Sequence, residues 1–140
     1  MNHQLSGKNV LVTGGTGLVG GHLVEVLLQA GANVFVTHRS INPRAYFYSK
    51  ALDRQVVSAI GDLADYRRVL DIVLKYEIAY IFHVAAQSTV PTGFLNPLET
   101  FSTNVMGTVN VLEAARQSPY IKGVVVASSD KAYGKDCADA

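Results

Sequence analysis

The sequence predicts an α/β fold built on one open, doubly wound parallel sheet. Two observations carry the prediction: short β-branched runs alternate with segments of helical spacing, and a glycine-rich loop lies between the first strand and the first helix. Right-handed crossovers then place helices on both faces of the sheet, and the expected strand order is 3-2-1-4-5. We expect residues 1–140 to form a single domain.

The first half of the chain accounts for three strands. Lys8–Thr13 is a near-continuous apolar run, typical of a strand that is buried on both faces. Leu18–Ala30 has apolar residues at helical spacing, and Gly31 stands where a glycine commonly ends a helix. The second and third strands are predicted at Asn33–Thr37 and Gln55–Ile60.

The second half continues the alternation. Asp62–Tyr76 has one apolar face and predicts a helix, and Ala79–His83 predicts the fourth strand. Asn96-Pro97-Leu98-Glu99 resembles a capping box with proline at the first helical position, so a long helix is expected from there to about Gln117. Gly123–Ser128 is the fifth predicted strand.

The composition excludes several classes of function. Twelve Lys and Arg against eleven Asp and Glu give a net charge of +1, which offers no strong attraction to nucleic acid or an anionic membrane surface. One cysteine, Cys137, excludes an internal disulfide and a multi-cysteine metal site. No apolar run reaches the ~18 residues that span a bilayer. We therefore expect a cytoplasmic protein without a metal, a nucleic-acid partner or a membrane contact.

The loop Gly14–Gly20 has the glycine spacing of a dinucleotide-binding turn. Gly14 suits a tight turn, Gly17 allows the backbone to approach a pyrophosphate, and Gly20 allows the helix to pack closely on the strand. The helix N-terminus would present free N–H groups to the phosphates. The alternative is a tight turn that binds no ligand.

The end of the second strand bears on the choice of cofactor. The stretch from Val36 to Ser40 contains no carboxylate that could hold a ribose 2′-hydroxyl, whereas Arg39 could meet a 2′-phosphate together with Thr37 or Ser40. This favours NADP over NAD. Alternatively, Arg39 is a solvated loop charge or stacks on adenine in an NAD-binding protein.

A resemblance extends over residues 8–134. The chain resembles the extended short-chain dehydrogenase/reductases, also called NAD-dependent epimerase/dehydratases, which have a Rossmann fold. The segments that carry the resemblance are Thr13–Gly20, Gly61–Leu63, His83–Gln87, Asn96-Pro97, Thr103–Thr108 and Ser128–Gly134.

The triplet Ser129-Asp130-Lys131 is most similar to that of the nucleotide-sugar 4,6-dehydratases, the CDP-glucose type above all. The resemblance implies a nucleotide-diphosphate sugar as substrate. Hydride leaves C4 for the nicotinamide, water is lost across C5 and C6, and hydride returns to C6. Ser129 would hydrogen-bond the C4 oxygen, Asp130 would protonate the leaving C6 hydroxyl, and Lys131 would assist C5 deprotonation. The alternative for this triplet is a turn with a solvated ion pair.

The resemblance also implies a set of cofactor residues. Asn104 would support the site from the long helix. Asp62 could accept from the adenine amino group or cap the following helix, and both roles can hold at once. His83, which ends a strand, is read as a packed histidine rather than a catalyst. The implied cofactor-binding residues are Gly14, Thr16, Gly17, Leu18, Gly20, Arg39, Asp62, Leu63, Ala85, Ala86, Gln87 and Asn104.

The sequence departs from the family at its proton relay, a Tyr-x-x-x-Lys pair some two dozen residues after the serine. Tyr133 has Cys137 at the lysine position and matches the family's structural Tyr-Gly instead. We therefore expect the 140 residues to bind a cofactor but to lack the substrate-binding part and to be incomplete for catalysis. The alternatives are an epimerase or reductase of the same superfamily and a non-enzymatic binding module. Helix Asn96–Gln117 is a candidate homodimer face.

Overall fold

The five strands form one parallel sheet in the order β3-β2-β1-β4-β5, as predicted. A computed structural model describes residues 3–129 and Ala132. The strands are β1 (Asn9–Thr13), β2 (Asn33–His38), β3 (Val57–Ile60), β4 (Tyr80–His83) and β5 (Gly123–Val126). The helices are α1 (Leu18–Gln29), α2 (Tyr46–Ser49), α3 (Tyr66–Lys75), α4 (Val90–Leu95), α5 (Pro97–Phe101) and α6 (Gly107–Gln117).

The apolar core has two parts, one on each face of the sheet. In β1, Leu11 packs with α3 and α6, while Val10 and Val12 pack with α1 on the opposite face. Successive side chains of a strand point to opposite faces, so a strand covered on both sides must be apolar throughout. This explains the near-continuous apolar run in the sequence.

Helix α3 begins four residues later than the sequence predicts. Asp62 accepts a hydrogen bond from the Ala64 amide at 2.9 Å and so forms a local turn. Asp65 is the N-cap and accepts from the Arg68 amide at 3.1 Å. Of the two alternatives for Asp62, the helix cap is therefore wrong, because Asp65 takes that role.

The predicted long helix is one rod with an irregular turn inside it. Asn96 caps it as expected, since its side chain accepts from the Glu99 amide at 3.3 Å. The rod runs through α5, a π turn at Ser102–Met106 and α6. A π turn inside an α-helix is uncommon and frequent at functional sites. In the described part of the chain, no helix has the length and apolar character needed to cross a bilayer.

Candidate dinucleotide-binding site

A cleft of about 510 Å³ opens at the carboxyl edge of the sheet, between the loops that follow β1, β2, β3 and β4. This is within the range of small-molecule sites, and the carboxyl edge is where open α/β sheets bind their ligands. Its lining consists of Gly14, Thr16–Gly20, Thr37–Ser40, Gly61–Leu63, Val84–Ala86, Ser88 and Thr103.

The glycine loop has a geometry that side chains would prevent. Gly14 has φ +74°, and a Cβ there would lie 2.7 Å from Ala85 Cα. A Cβ on Gly20 would collide with the Gly14 carbonyl oxygen, so helix α1 packs against the loop only through glycine. The Gly17 amide donates to the Gly14 carbonyl at 3.0 Å and closes the turn. Gly14 and Gly20 therefore have the conformational and packing roles that their spacing predicts.

The N-terminus of α1 faces the cleft. Its N-cap is Gly17, which supplies no side-chain hydrogen bond, so the amides of the first turn stay available to a ligand. The side chains of Leu18 and Val19 also line the cleft and are 75% and 68% exposed. Such a terminus favours an anion through its free N–H groups and its dipole.

The loop after β4 is fixed by the π turn. The Gln87 amide donates to Asn104 Oδ1 at 2.7 Å, and Asn104 Nδ2 donates to the Gln87 carbonyl at 3.0 Å. Ala85 and Ala86 of this loop line the cleft, whereas Gln87 and Asn104 are not among its lining residues. The Gln87 side chain donates to the Thr89 carbonyl at 3.0 Å. Asn104 therefore holds a main-chain segment of the loop that follows β4.

A buried histidine joins the cleft's strands to the same helix. His83 is 2% exposed; its Nδ1 lies 2.6 Å from Thr13 Oγ1 and its Nε2 lies 2.9 Å from Thr108 Oγ1. Thr108 donates its only hydroxyl proton to the Asn104 carbonyl at 2.7 Å, so it must accept from His83 Nε2–H. The neutral ring then accepts from Thr13 at Nδ1. Burial lowers the pKa of His83, which agrees with a packed, neutral histidine.

Two polar residues of the site were not predicted. Asn110, in α6, is buried and donates to the carbonyls of Leu63 at 2.7 Å and Ala64 at 3.2 Å, which fixes the loop after β3. Its signal in the sequence is an amide beside Val111 on an apolar helix face, because a buried polar group needs a partner. His38 lines the cleft, and its Nδ1 is buried without a hydrogen-bond partner among the described residues.

Arg39 lies at the rim of the cleft between two carboxylates. Its Nη1 is 3.3 Å from Glu99 Oε1 and 3.8 Å from Asp62 Oδ2. All three side chains are about half exposed. Arg39 lines the cleft, and its guanidinium is shared between Asp62, in the loop after β3, and Glu99, in α5.

Of the predicted catalytic triplet, only Ser129 belongs to the residues that the structure describes. Ser129 is exposed and lies three residues beyond β5, and its carbonyl accepts from the Ala132 amide at 3.1 Å. Asp130 and Lys131 lie outside the described residues, as do Tyr133 and Cys137. Ser129 is not among the residues that line the cleft.

A Tyr-x-x-x-Lys spacing does occur at Tyr46 and Lys50, in and just after α2. Neither residue lines the cleft. Tyr46 donates to Glu25 at 2.6 Å, and this hydrogen bond raises the pKa of Tyr46. A proton-relay tyrosine needs the opposite shift, so this pair is not the relay that the family uses.

The sheet order, the glycine turn and the uncapped helix N-terminus define a Rossmann-type dinucleotide-binding domain. Comparison with known proteins narrows the class. The model of the family described as GDP-mannose 4,6 dehydratase matches residues 11–139, and the chain belongs to this family of NAD-dependent epimerases and dehydratases.

Curated relatives include both dehydratases and epimerases. The chain is 39% identical over 129 residues to CDP-glucose 4,6-dehydratase of Salmonella typhimurium, covering 91% of this chain and 36% of that protein. It is 35% identical over 133 residues to UDP-glucose 4-epimerase of Lacticaseibacillus casei, covering 90% and 37%. The chain therefore spans little more than a third of either relative.

Solved structures give the same fold. A UDP-glucose-4-epimerase of Stenotrophomonas maltophila, solved with NAD and formylated UDP-arabinopyranose, superimposes with a TM-score of 0.80 at 28% identity, over 95% of this chain and 40% of that one. A UDP-glucose 4-epimerase of Brucella ovis in complex with NAD superimposes with a TM-score of 0.77 at 29% identity, over 91% and 38%.

Proposed function

We propose that this chain is the NADP- or NAD-binding portion of a nucleotide-sugar 4,6-dehydratase. The observation that carries dinucleotide binding is the turn from β1 into α1, where Gly14 and Gly20 exclude side chains and the helix N-terminus opens on the cleft.

The residues of the cleft divide between the parts of a dinucleotide. Gly17 and the first-turn amides of α1 would hold the pyrophosphate. Asp62 and Leu63 would border the adenine, and Ala85 and Ala86 would pack along the cofactor on the β4 side. Arg39 would meet a 2′-phosphate, from which we propose a preference for NADP of a few-fold. Thr37 and Ser40 also line the cleft and are near Arg39 in the chain.

The chemistry on the sugar would fall to the segment after β5. A bound nicotinamide would supply the acceptor for the C4 hydride and its donor to C6. Ser129 would hydrogen-bond the C4 oxygen, Asp130 would give a proton to the departing C6 hydroxyl, and Lys131 would assist removal of the C5 proton. The substrate class, a nucleotide-diphosphate sugar such as CDP-glucose, is supported by the named activity of the Salmonella relative.

A second candidate is epimerisation, which the Lacticaseibacillus relative favours. Dehydration removes one water from the sugar, whereas epimerisation leaves its mass unchanged. In a longer protein that contains this chain, the two are separated by mass spectrometry, which detects the loss of water from the sugar nucleotide, and by chromatography, which detects an epimer of unchanged mass. Because no Tyr-x-x-x-Lys pair follows Ser129 in this sequence, we propose that neither product forms with these 140 residues alone, and turnover would overturn that statement.

The binding proposal is tested by thermal unfolding with NAD, with NADP and with no ligand. A ligand that binds only the folded chain raises the midpoint by mass action. We expect both cofactors to raise it and NADP to raise it more, with the extra NADP shift reduced in Arg39→Ala. A shift with NAD alone would reject the NADP preference, and no shift with either cofactor would reject dinucleotide binding.

We also propose a homodimer through the long helix. Leu98, Phe101, Val105, Val109 and Leu112 follow one another at spacings of three or four residues and are all at least 45% exposed. Such a stripe lies on one side of a helix, and contiguous exposed apolar surface marks an interaction site.

A further inference from the structure

The ion pairs around Arg39 suggest how the cofactor's 2′ position is read. We propose that Glu99 is a specificity-determining residue that competes with a 2′-phosphate for Arg39, and so holds down the preference for NADP over NAD. The inference rests on the proposed dinucleotide site and deepens it. Glu99 belongs to α5 and is 60 residues from Arg39 along the chain.

Glu99 is held in place for this contact. The cap at the start of α5 binds it from one side, since Asn96 Nδ2 donates to Glu99 Oε2 at 2.8 Å. Its other oxygen, Oε1, is the one that accepts from Arg39 at 3.3 Å. The carboxylate is therefore positioned by its own helix terminus, and Arg39 is drawn from the end of β2 toward α5.

The two carboxylates at the rim of the cleft compete with a 2′-phosphate for Arg39. Arg39 carries +1, while Glu99 and Asp62 together carry −2, so the three groups sum to −1. A 2′-phosphate must take its hydrogen bonds from a guanidinium that is already shared with the two carboxylates. A 2′-hydroxyl carries no charge and meets no such competition. Exposed ion pairs are weak, so the competition should moderate the preference rather than abolish it.

Glu99→Gln tests the competition. Glutamine keeps the length of the side chain and an oxygen for Asn96, but it removes the charge that holds Arg39. We expect the ratio of the dissociation constants, Kd of NAD over Kd of NADP, to rise on the order of two- to five-fold, the scale of one exposed ion pair. Both constants are measured by calorimetry or fluorescence titration at low salt, because salt screens exposed charges.

Two further variants make the result specific. Glu113→Gln removes a carboxylate in a comparable surface pair, 2.7 Å from Arg116 on α6, and should leave the ratio unchanged. In the Arg39→Ala background, Glu99→Gln should no longer raise the ratio, since its effect passes through Arg39. A persisting effect in that background would overturn the proposal in favour of general electrostatic repulsion.

The inference and the proposed function can fail separately. If the unaltered chain binds NAD and NADP and the ratio does not move in Glu99→Gln, competition at Arg39 is rejected while dinucleotide binding stands. If the unaltered chain binds neither cofactor, the proposed function is rejected and this inference falls with it.

Discussion

His83 shows, at the scale of a single residue, how a buried imidazole joins elements that border the cleft. One ring nitrogen accepts from Thr13 at the end of β1, and the other donates to Thr108 in α6. Because Thr108 already donates to Asn104, only the neutral Nε2–H tautomer satisfies every partner. The ring thus links the strand before the glycine loop to the helix that holds the β4 loop.

The tautomer leads to a prediction about pH. Burial lowers the pKa of folded His83 below its unfolded value of about 6.5. Below that value the unfolded chain binds a proton that the folded chain resists, so the free energy of unfolding falls as pH decreases from 7.5 to 5.5. Urea unfolding at several pH values measures the slope. His83→Gln should be less stable at pH 7.5 and show a shallower slope, and an unchanged slope would contradict this assignment.

The glycines of the loop allow a second prediction. Gly20→Ala places a methyl group onto the Gly14 carbonyl and should lower the free energy of unfolding by about 1–3 kcal/mol. In Gly17→Ala the added Cβ lies 3.3 Å from the same oxygen, a contact that a small shift relieves. That variant should lose dinucleotide affinity more than stability, because its Cβ occupies the approach to the pyrophosphate.

Urea unfolding and cofactor titration of both variants check the difference between the two glycines. Gly93→Ala in α4 is the matched control, since its Cβ would meet nothing closer than Thr100 Oγ1 at 3.8 Å. We expect its stability to be unchanged or slightly higher. Equal stability of Gly20→Ala and Gly93→Ala would show that the close packing of α1 on the loop is not required.

At the scale of elements, the rod formed by α5, the π turn and α6 positions two loops of the cleft. Asn104 in the π turn pairs with the main chain of Gln87, and Asn110 in α6 pairs with the carbonyls of Leu63 and Ala64. One helix therefore sets the relative placement of the loops that follow β3 and β4. The irregular turn lies where Asn104 makes its contact.

Asn104→Ala should weaken dinucleotide binding by on the order of ten-fold, because two main-chain groups of the β4 loop lose their partner. Asn104→Asp keeps the acceptor for the Gln87 amide and loses the donor, so its affinity should be intermediate. Gln87→Ala leaves the main-chain pair intact and reports whether the Gln87 side chain itself contacts the cofactor. Titration beside urea unfolding separates affinity from stability, and equal affinity of Asn104→Ala and the unaltered chain would exclude the positioning role.

The elements also show what the sequence can and cannot predict. Strand order follows from apolar runs and alternation, which are local patterns with a strong physical cause. The start of α3 cannot be predicted from such patterns, because Asp62 and Asp65 are both suitable caps and the choice depends on the turn between them. The pairing of Arg39 with Glu99 joins residues far apart in the chain, and no local pattern marks such a contact.

At the scale of the whole molecule, helices cover both faces of the sheet, whereas the outer side of the long helix is exposed. The α1 face and the α3–α6 face each bury a continuous apolar cluster. The outer side of the rod instead exposes Phe101, Val105 and Val109 by 48–66%. A second copy of the chain, presenting the same stripe about a twofold axis, would cover these side chains in an isologous contact.

Sedimentation equilibrium tests this association. The unaltered chain should sediment at twice its 15.0 kDa mass, and Val109→Asp should shift it toward the monomer, because the contact would bury an unpaired carboxylate. Val26→Asp changes an equally apolar and 59% exposed residue on α1, so it should leave the dimer intact. A monomer at every concentration of the unaltered chain, or an equal effect of both substitutions, would reject the stripe as the dimer face. The rod that would form the dimer contact also carries Asn104 and Asn110, which hold loops of the cleft. Cofactor affinity measured at protein concentrations below and above dimerisation therefore shows whether the dinucleotide site depends on assembly.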